Sequence, residues 1–314
     1  MQRFSIAIHG GSGTILRKHM TAAREQAFLD GLKTALEAGF SILEKGGEAI
    51  EAVRAAIREL EDNILFNAGR GSVFTKNGTH EMDAAIMDGR NRKAGAVAAV
   101  KNVRNPIELA MAVMQKSEHV FLCGDGAMEF GRRHDIIFEP DEYFFSSFRY
   151  DQWQSIKDSD DTALDHNILP GDINKEKKFG TVGAVACDAQ GNLAAATSTG
   201  GMTNKQFGRI GDSPLIGIGT YANNKTCAVS CTGHGEPFIR AVAAYDVSCL
   251  MEYRALSLEQ AMNIVVNEKL KQLEGEGGMI GADAQGNTAM IFNSEGMYRA
   301  CRNSDGTSFA AIYK

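Results

Sequence analysis

Apolar residues recur along this chain with two different periods. From residue 4 to residue 9 hydrophobic and polar positions alternate as in a β-strand, which runs into His9-Gly10-Gly11-Ser12-Gly13. That run reads as a strand-to-loop turn whose glycines let backbones approach closely. Beyond Thr21 the period becomes helical, with Phe28, Leu32, Leu36, Phe40 and Leu43 on one face. Gly46-Gly47 interrupts the pattern, and Ile50, Val53, Ile57 and Leu60 make a second helical face. Residues 65–71 form a glycine-rich loop. The apolar runs 84–87, 95–100 and 120–123 read as buried strands, and Pro106 opens a further helix at the position proline favours.

The pattern then lapses. Residues 154–178 are charged and lack any sustained period, and a strongly apolar strand over 182–187 begins directly after Phe179-Gly180-Thr181. AspAlaGlnGlyAsn occurs at 188–192 and again at 283–287, each time between apolar runs, and both copies read as hairpin turns. Strands follow near 216–221 and 226–231, then a helix after Gly235. Ser257-Leu258-Glu259-Gln260 is a capping box that starts another helix. Helices first, then strands, then helices around strands imply an α+β layering.

Composition narrows the function classes. The chain has 314 residues, and its 34 glycines beside 5 prolines point to tight turns and close backbone approaches. A net charge of −6 gives no basic surplus for nucleic acid or anionic lipid. No stretch approaches the roughly 18 apolar residues of a membrane span, and no leader-like apolar segment opens the chain. The six cysteines sit in apolar or strand-like runs and read as buried free thiols. A cytoplasmic protein is expected, with neither nucleic acid nor membrane as partner.

The densest run of hydroxyls and glycines spans 197–235. It holds Thr197-Ser198-Thr199-Gly200-Gly201, then Gly208-Arg209-Ile210-Gly211-Asp212-Ser213-Pro214, then Thr232-Gly233-His234-Gly235-Glu236. Hydroxyls and backbone amides at strand ends suit anion or oxyanion recognition. Arg209 and Asp212 offer a cation and an anion about a turn apart, the complement of a zwitterionic amino acid. A surface salt bridge in a glycine-rich loop explains the same pair. The early HisGlyGlySerGly lacks the spacing of a phosphate loop, and no GxSxG elbow marks a serine hydrolase.

Six motifs taken together carry a resemblance. HisGlyGlySerGly, LeuPheAsnAlaGlyArgGly at 65–71, GlyThrValGlyAlaVal at 180–185, ThrSerThrGlyGly at 197–201, GlyArgIleGlyAspSerPro at 208–214 and ThrGlyHisGlyGlu at 232–236 occur in order. The chain resembles the plant-type L-asparaginase/isoaspartyl peptidase family of N-terminal-nucleophile (Ntn) hydrolases over residues 5 to about 300. The resemblance implies a four-layer αββα sandwich forming one unit over 1–314, self-cleaved at Gly180–Thr181. The fragments would be an α subunit (1–180, with 155–180 a flexible linker) and a β subunit (181–314), assembled as a dimer of cleaved αβ units. Thr181 would be the nucleophile, Thr199 its hydrogen-bonding partner, and the Thr232 hydroxyl with the Gly233 N–H an oxyanion hole. Arg209 would hold the α-carboxylate of asparagine or of a β-aspartyl dipeptide and Asp212 its α-ammonium, with Gly235 and Asn67 lining the pocket. The backbone carbonyls of Leu60, Glu61, Asn63, Phe66, Ala68 and Arg70 match a structural Na⁺ loop, and no catalytic cofactor is implied. A glycosylasparaginase-like hydrolase and an uncut aspartate-binding protein remain the alternatives.

Overall fold

A computed structural model describes residues 3–159, 162 and 180–314. Among the described residues six strands precede residue 200: β1 (Ser5–Gly13), β2 (Met82–Asp88), β3 (Ala94–Val100), β4 (Phe121–Cys123), β5 (Val182–Cys187) and β6 (Leu193–Thr199). Six follow it: β7 (Thr220–Ala222), β8 (Cys227–Gly233), β9 (Gly277–Asp283), β10 (Thr288–Phe292), β11 (Gly296–Asn303) and β12 (Ser308–Tyr313). They pair into a larger sheet of order β12-β11-β1-β5-β6-β2-β3-β4 and a smaller one of order β10-β9-β8-β7. Helices α1 (Ala22–Glu44), α2 (Ala49–Asp62), α3 (Pro106–Lys116), α4 (Gly124–Arg133), α5 (Asp141–Phe144) and α6 (Ser147–Gln154) lie in the first half. α7 (Gly235–Ala241), α8 (Ala243–Arg254) and α9 (Leu258–Ile264) lie in the second. The chain is therefore a mixed α+β structure, and no helix among the described residues is long and apolar enough to cross a membrane.

Strand alternation divides the interior in two. Ile6 and Ile8 of β1, Ala184 and Ala186 of β5, and Ala194 and Ala196 of β6 belong to the core packed against α1, α2 and α3. Ala7, Val185, Cys187, Leu193 and Ala195 point the other way, into the core shared with β8, β9 and the helices beyond them. Successive side chains of a strand leave on opposite faces, so this parity fixes every later position on these strands. The first-half helices form as their periodicity predicts. Thr21 caps α1 by accepting from the Arg24 N–H, and Phe28, Leu32, Leu36, Phe40 and Leu43 are its buried face. The Ser257–Gln260 capping box closes in both directions.

Four expectations need correcting. β1 continues through His9-Gly10-Gly11-Ser12-Gly13, because β11 pairs with it as far as Gly13. Gly11 adopts φ 109° where the register shifts between His9 and Ser12, a backbone state closed to most side chains. β4 is an exposed edge rather than a buried strand: among the described residues it pairs only with β3, and Phe121 is 41% accessible. The strand near 216–221 shrinks to the three residues of β7. Cys187, Cys227, Cys231 and Cys301 are buried free thiols, whereas Cys123 is exposed and Cys249 half-buried.

Of the expected linker, residues 155–159 are turns packed on the fold, with Ile156 buried and the Ser159 carbonyl accepting from Lys76 Nζ at 2.6 Å. Residues 160, 161 and 163–179 lie outside the described residues.

The repeated AspAlaGlnGlyAsn turns are built alike but sit differently. Asp188 Oδ1 accepts from the backbone N–H of Gln190 and of Asn192, both at 2.9 Å, as Asp283 does from Gln285 and Asn287 at 3.0 Å. Asp188 is fully buried and its Oδ2 also accepts from the Ala49 N–H, 3.3 Å away at the N-terminus of α2. The β5–β6 hairpin thus caps a helix that the Asp283 turn does not have. Asp188→Ala is expected to lower the urea-unfolding free energy by about 2–3 kcal/mol, and Asp283→Ala by less. Equal losses would show that the helix contact contributes nothing.

Candidate active site

Parity places Thr181, Gly183, Thr197 and Thr199 on the face turned toward the smaller sheet. Thr181 precedes β5 and is buried. Its hydroxyl donates to Thr199 Oγ1 at 3.2 Å and lies 3.5 Å from Ser213 Oγ. Thr199 Oγ1 also accepts from the Gly201 N–H at 3.0 Å, so the partner of Thr181 is itself held by the loop that follows it. Thr181, Thr199, Arg209, Asp212 and Gly233 line one pocket, and Gly180 is among its walls. The pocket has only about 20 Å³ of free volume, room for about one water.

Thr232 is fully buried, and its Oγ1 accepts from the Ser12 N–H at 3.2 Å while its carbonyl accepts from Ser12 Oγ at 3.0 Å. Among the described residues the Thr232 hydroxyl donates to no acceptor, and the next residue, Gly233, lines the pocket.

At the other end, Asp212 is buried, and its Oδ2 has no hydrogen-bond partner among the described residues. Burial pushes its carboxyl up to about 7, against the opposing pull of the Arg209 guanidinium. Gly235 belongs to the same corner: a Cβ there would stand 3.0 Å from Asp212 Oδ1 and from Arg209 Nη2. Arg209 is clamped by Glu236, Nε to Oε1 at 3.0 Å and Nη2 to Oε2 at 2.9 Å. His234 Nε2 is 3.1 Å from Glu236 Oε2, and its hydrogen bond, with that of Arg209, holds the Glu236 carboxyl far below the usual range.

Asn67 does not line the pocket. Its carboxamide donates to the Gly201 carbonyl at 2.7 Å and accepts from the Val73 N–H at 3.0 Å, so it braces the loop behind Thr199. Asn67 belongs to the loop after α2, which also holds Asn63, Phe66, Ala68 and Arg70. Phe66 anchors this loop against Phe28 and Tyr298, with ring centroids 5.6 and 6.4 Å away. Buried Arg149 of α6 donates to the carbonyls of Leu65 and Gly71 at 3.3 and 3.0 Å. Carbonyl oxygens crowd the glycines of the loop: a Cβ on Gly69 would meet Glu61 O at 2.5 Å, and one on Gly71 would meet Phe66 O at 2.0 Å. The Glu61 side chain turns elsewhere. Oε1 accepts from Ser198 Oγ at 2.6 Å and from the Ile107 N–H at 3.0 Å, and burial raises the carboxyl to about 8.

The sequence model of the asparaginase family matches residues 1–312. The chain belongs to the asparaginase family. The isoaspartyl peptidase of Escherichia coli (strain K12) is 50% identical over 314 residues, covering 100% of this chain and 97% of that protein. The probable isoaspartyl peptidase/L-asparaginase 2 of Arabidopsis thaliana is 41% identical over 330 residues, covering both chains completely. The isoaspartyl peptidase/L-asparaginase of Bos taurus is 40% identical over 295 residues, 93% of this chain and 91% of that one.

In this asparaginase-family chain, reading the sequence missed Glu236, Ser213, Ser12 and Arg149. The first three stand inside motifs already singled out, but only the fold shows which neighbour each one meets. Arg149 lies in no motif, and nothing in its local sequence marks it as buried.

A carboxyl raised above its unfolded-chain value contributes stability that is complete below about pH 4 and is lost as pH rises through the folded value near 7. Asp212→Asn, isosteric and uncharged, should therefore melt above wild type at pH 8, by roughly 2 °C or more. The difference should shrink at pH 5. Identical melting temperatures at pH 8 would contradict the assigned burial cost.

Proposed function

We propose that this chain is a self-cleaving threonine amidohydrolase. It hydrolyses the side-chain amide of L-asparagine and the β-linked peptide bond of β-aspartyl dipeptides, giving L-aspartate. One observation carries the reading: the Thr181 hydroxyl is packed against Thr199 and Ser213 in a pocket that Gly180 helps to line. The names of the relatives agree with it.

In the uncut chain the Thr181 hydroxyl attacks the Gly180 carbonyl. The Gly180–Thr181 C–N bond breaks, the proton passes to the departing nitrogen, and an ester links Gly180 to Thr181 Oγ. Water opens that ester. Thr181 then carries a free α-amine, a group that titrates near ~7.7–8.0 and is partly neutral at pH 7, beside its own hydroxyl. Departure of Gly180 makes room for substrate. Thr181 attacks the β-carbonyl, ammonia or an amino acid leaves, and water hydrolyses the aspartyl ester.

The Thr232 hydroxyl and Gly233 N–H receive the charge that develops on the carbonyl oxygen, a contribution of about 2.7–4 kcal/mol per donor in other hydrolases. Arg209, already oriented by Glu236, takes the α-carboxylate, and Asp212 takes the α-ammonium. An ammonium supplies the partner that Asp212 Oδ2 lacks.

The reading extends to architecture. Helices on the outer faces of two facing sheets support a four-layer αββα sandwich spanning 1–314, acting in the cytoplasm as a dimer of cleaved αβ units. The carbonyls of Leu60, Glu61, Asn63, Phe66, Ala68 and Arg70 are proposed to hold a Na⁺. The crowding of carbonyl oxygens onto Gly69 and Gly71 supports this. The ion would neutralise those dipoles, and no catalytic step runs through it.

Purified protein should separate on denaturing gels into fragments of 180 and 134 residues, the second beginning at Thr181. Thr181→Ala should stay a single chain and hydrolyse neither asparagine nor a β-aspartyl dipeptide. A wild-type chain that stays intact yet turns over asparagine would rule the mechanism out.

A further inference from the structure

The Thr181 carbonyl has a partner that the mechanism leaves unused. Across β1, β5 and β6, His9 stands opposite Gly183 and Gly183 opposite Thr197, one row over three strands. The middle position carries no side chain, and Ser230 of β8 occupies the gap. A Cβ on Gly183 would lie 2.1 Å from both Ser230 Oγ and His9 Nε2. Within the gap Thr220 Oγ1 donates to Thr197 Oγ1 at 2.6 Å, and Thr197 Oγ1 is 2.7 Å from Ser230 Oγ. Ser230 Oγ is 3.0 Å from His9 Nε2, and His9 Nδ1 is 3.0 Å from the Thr181 carbonyl oxygen. All of these groups are fully buried except Thr181, which is 7% accessible.

The protons in this row can be assigned. A carbonyl oxygen only accepts, so Nδ1 carries the hydrogen. Burial holds the imidazole neutral, lowering it to about 3, so Nε2 offers a lone pair and Ser230 donates to it. Ser230 has one proton to give and therefore accepts from Thr197. Thr197 and Thr220 also lie 3.3 and 3.1 Å from the carbonyls of Gly219 and Ser213, which share their protons. The series runs one way, from the smaller sheet to the carbonyl of Thr181.

Thr181 stands outside the sheet ladder, whose pairing with β6 begins at Val182 and with β1 ends at Gly183. Once Gly180 has left, no peptide bond constrains Thr181 from its amino side. We propose that His9 is a positioning residue: its Nδ1–H, oriented by Ser230, fixes the Thr181 carbonyl and so the direction of the hydroxyl during self-cleavage and hydrolysis. The inference rests on the reading that Thr181 is the nucleophile. His9 takes no proton from the substrate and touches no reacting atom.

Asparagine side-chain nitrogen stands where His Nδ1 does, and glutamine reaches only toward the Nε2 position. His9→Gln should therefore lose kcat by on the order of 10²-fold, the usual scale for a slightly misplaced reacting group. Its KM should stay within about twofold of wild type, and self-cleavage should slow in parallel. His9→Asn should recover kcat to within about tenfold of wild type. ¹⁵N NMR of histidine-labelled wild type should show His9 protonated at Nδ1 only, from pH 5 to pH 8, whether or not either variant folds.

Folded His9→Gln with wild-type kcat and cleavage, His9→Asn as impaired as His9→Gln, or an Nε2–H tautomer would each overturn the proposal. Wild type that neither cleaves nor hydrolyses would overturn the underlying reading of Thr181 first.

Discussion

The position of Thr181 depends on β5 being hydrogen-bonded along both edges, to β1 on one side and β6 on the other. A strand held so cannot slide by one residue without turning every side chain to the wrong face. Register therefore decides the chemistry: odd-numbered residues of β5 and β6 face the smaller sheet, and those nearest the pocket are threonine or glycine. Small side chains at Gly183, Thr197 and Ser230 let the two sheets meet through hydroxyls, and these hydroxyls are satisfied by one another and by His9. The same contact that joins the sheets ends on the backbone of the proposed nucleophile.

A second line of support reaches the site from the helices. Arg149 holds the loop after α2, Asn67 of that loop holds Gly201, the Gly201 N–H donates to Thr199, and Thr199 accepts from Thr181. Glu61 ties α2 to Ser198, the neighbour of Thr199, through a carboxyl that burial keeps protonated. Asp212 lines the pocket itself and lacks a partner for its Oδ2 among the described residues, as Glu61 does for its Oε2. Its unpaired Oδ2 opposes folding above neutral pH, and a bound ammonium relieves that cost. The fold keeps a destabilising carboxylate where the proposed substrate carries its positive charge.

Much of this was legible in the sequence. Period alone located α1, α2 and their buried faces, and proline and serine signals marked the starts of α3 and α9. The two AspAlaGlnGlyAsn turns announced their hairpins. Where reading the sequence failed, tertiary pairing had overruled a local signal. Glycines after His9 looked like a turn, yet β11 pairs through them and a bulge absorbs the irregularity. The apolar run at 120–123 looked buried, yet it falls at the sheet edge. In the site, Thr181, Thr199, Arg209, Asp212 and Gly233 converge as the motifs implied. Asn67 works one step behind them. His9 was visible as part of a motif, but its role depends on the register of three strands far apart in sequence.

The central claim is that the Thr181 hydroxyl is the group that attacks an aspartyl carbonyl. An asparagine analogue whose side-chain amide is replaced by a diazoketone would alkylate that nucleophile, and peptide mapping by mass spectrometry would locate the label. The account predicts one label per active site, on Thr181, with L-aspartate protecting against it. A label on any other residue, or labelling that aspartate leaves unchanged, would contradict it.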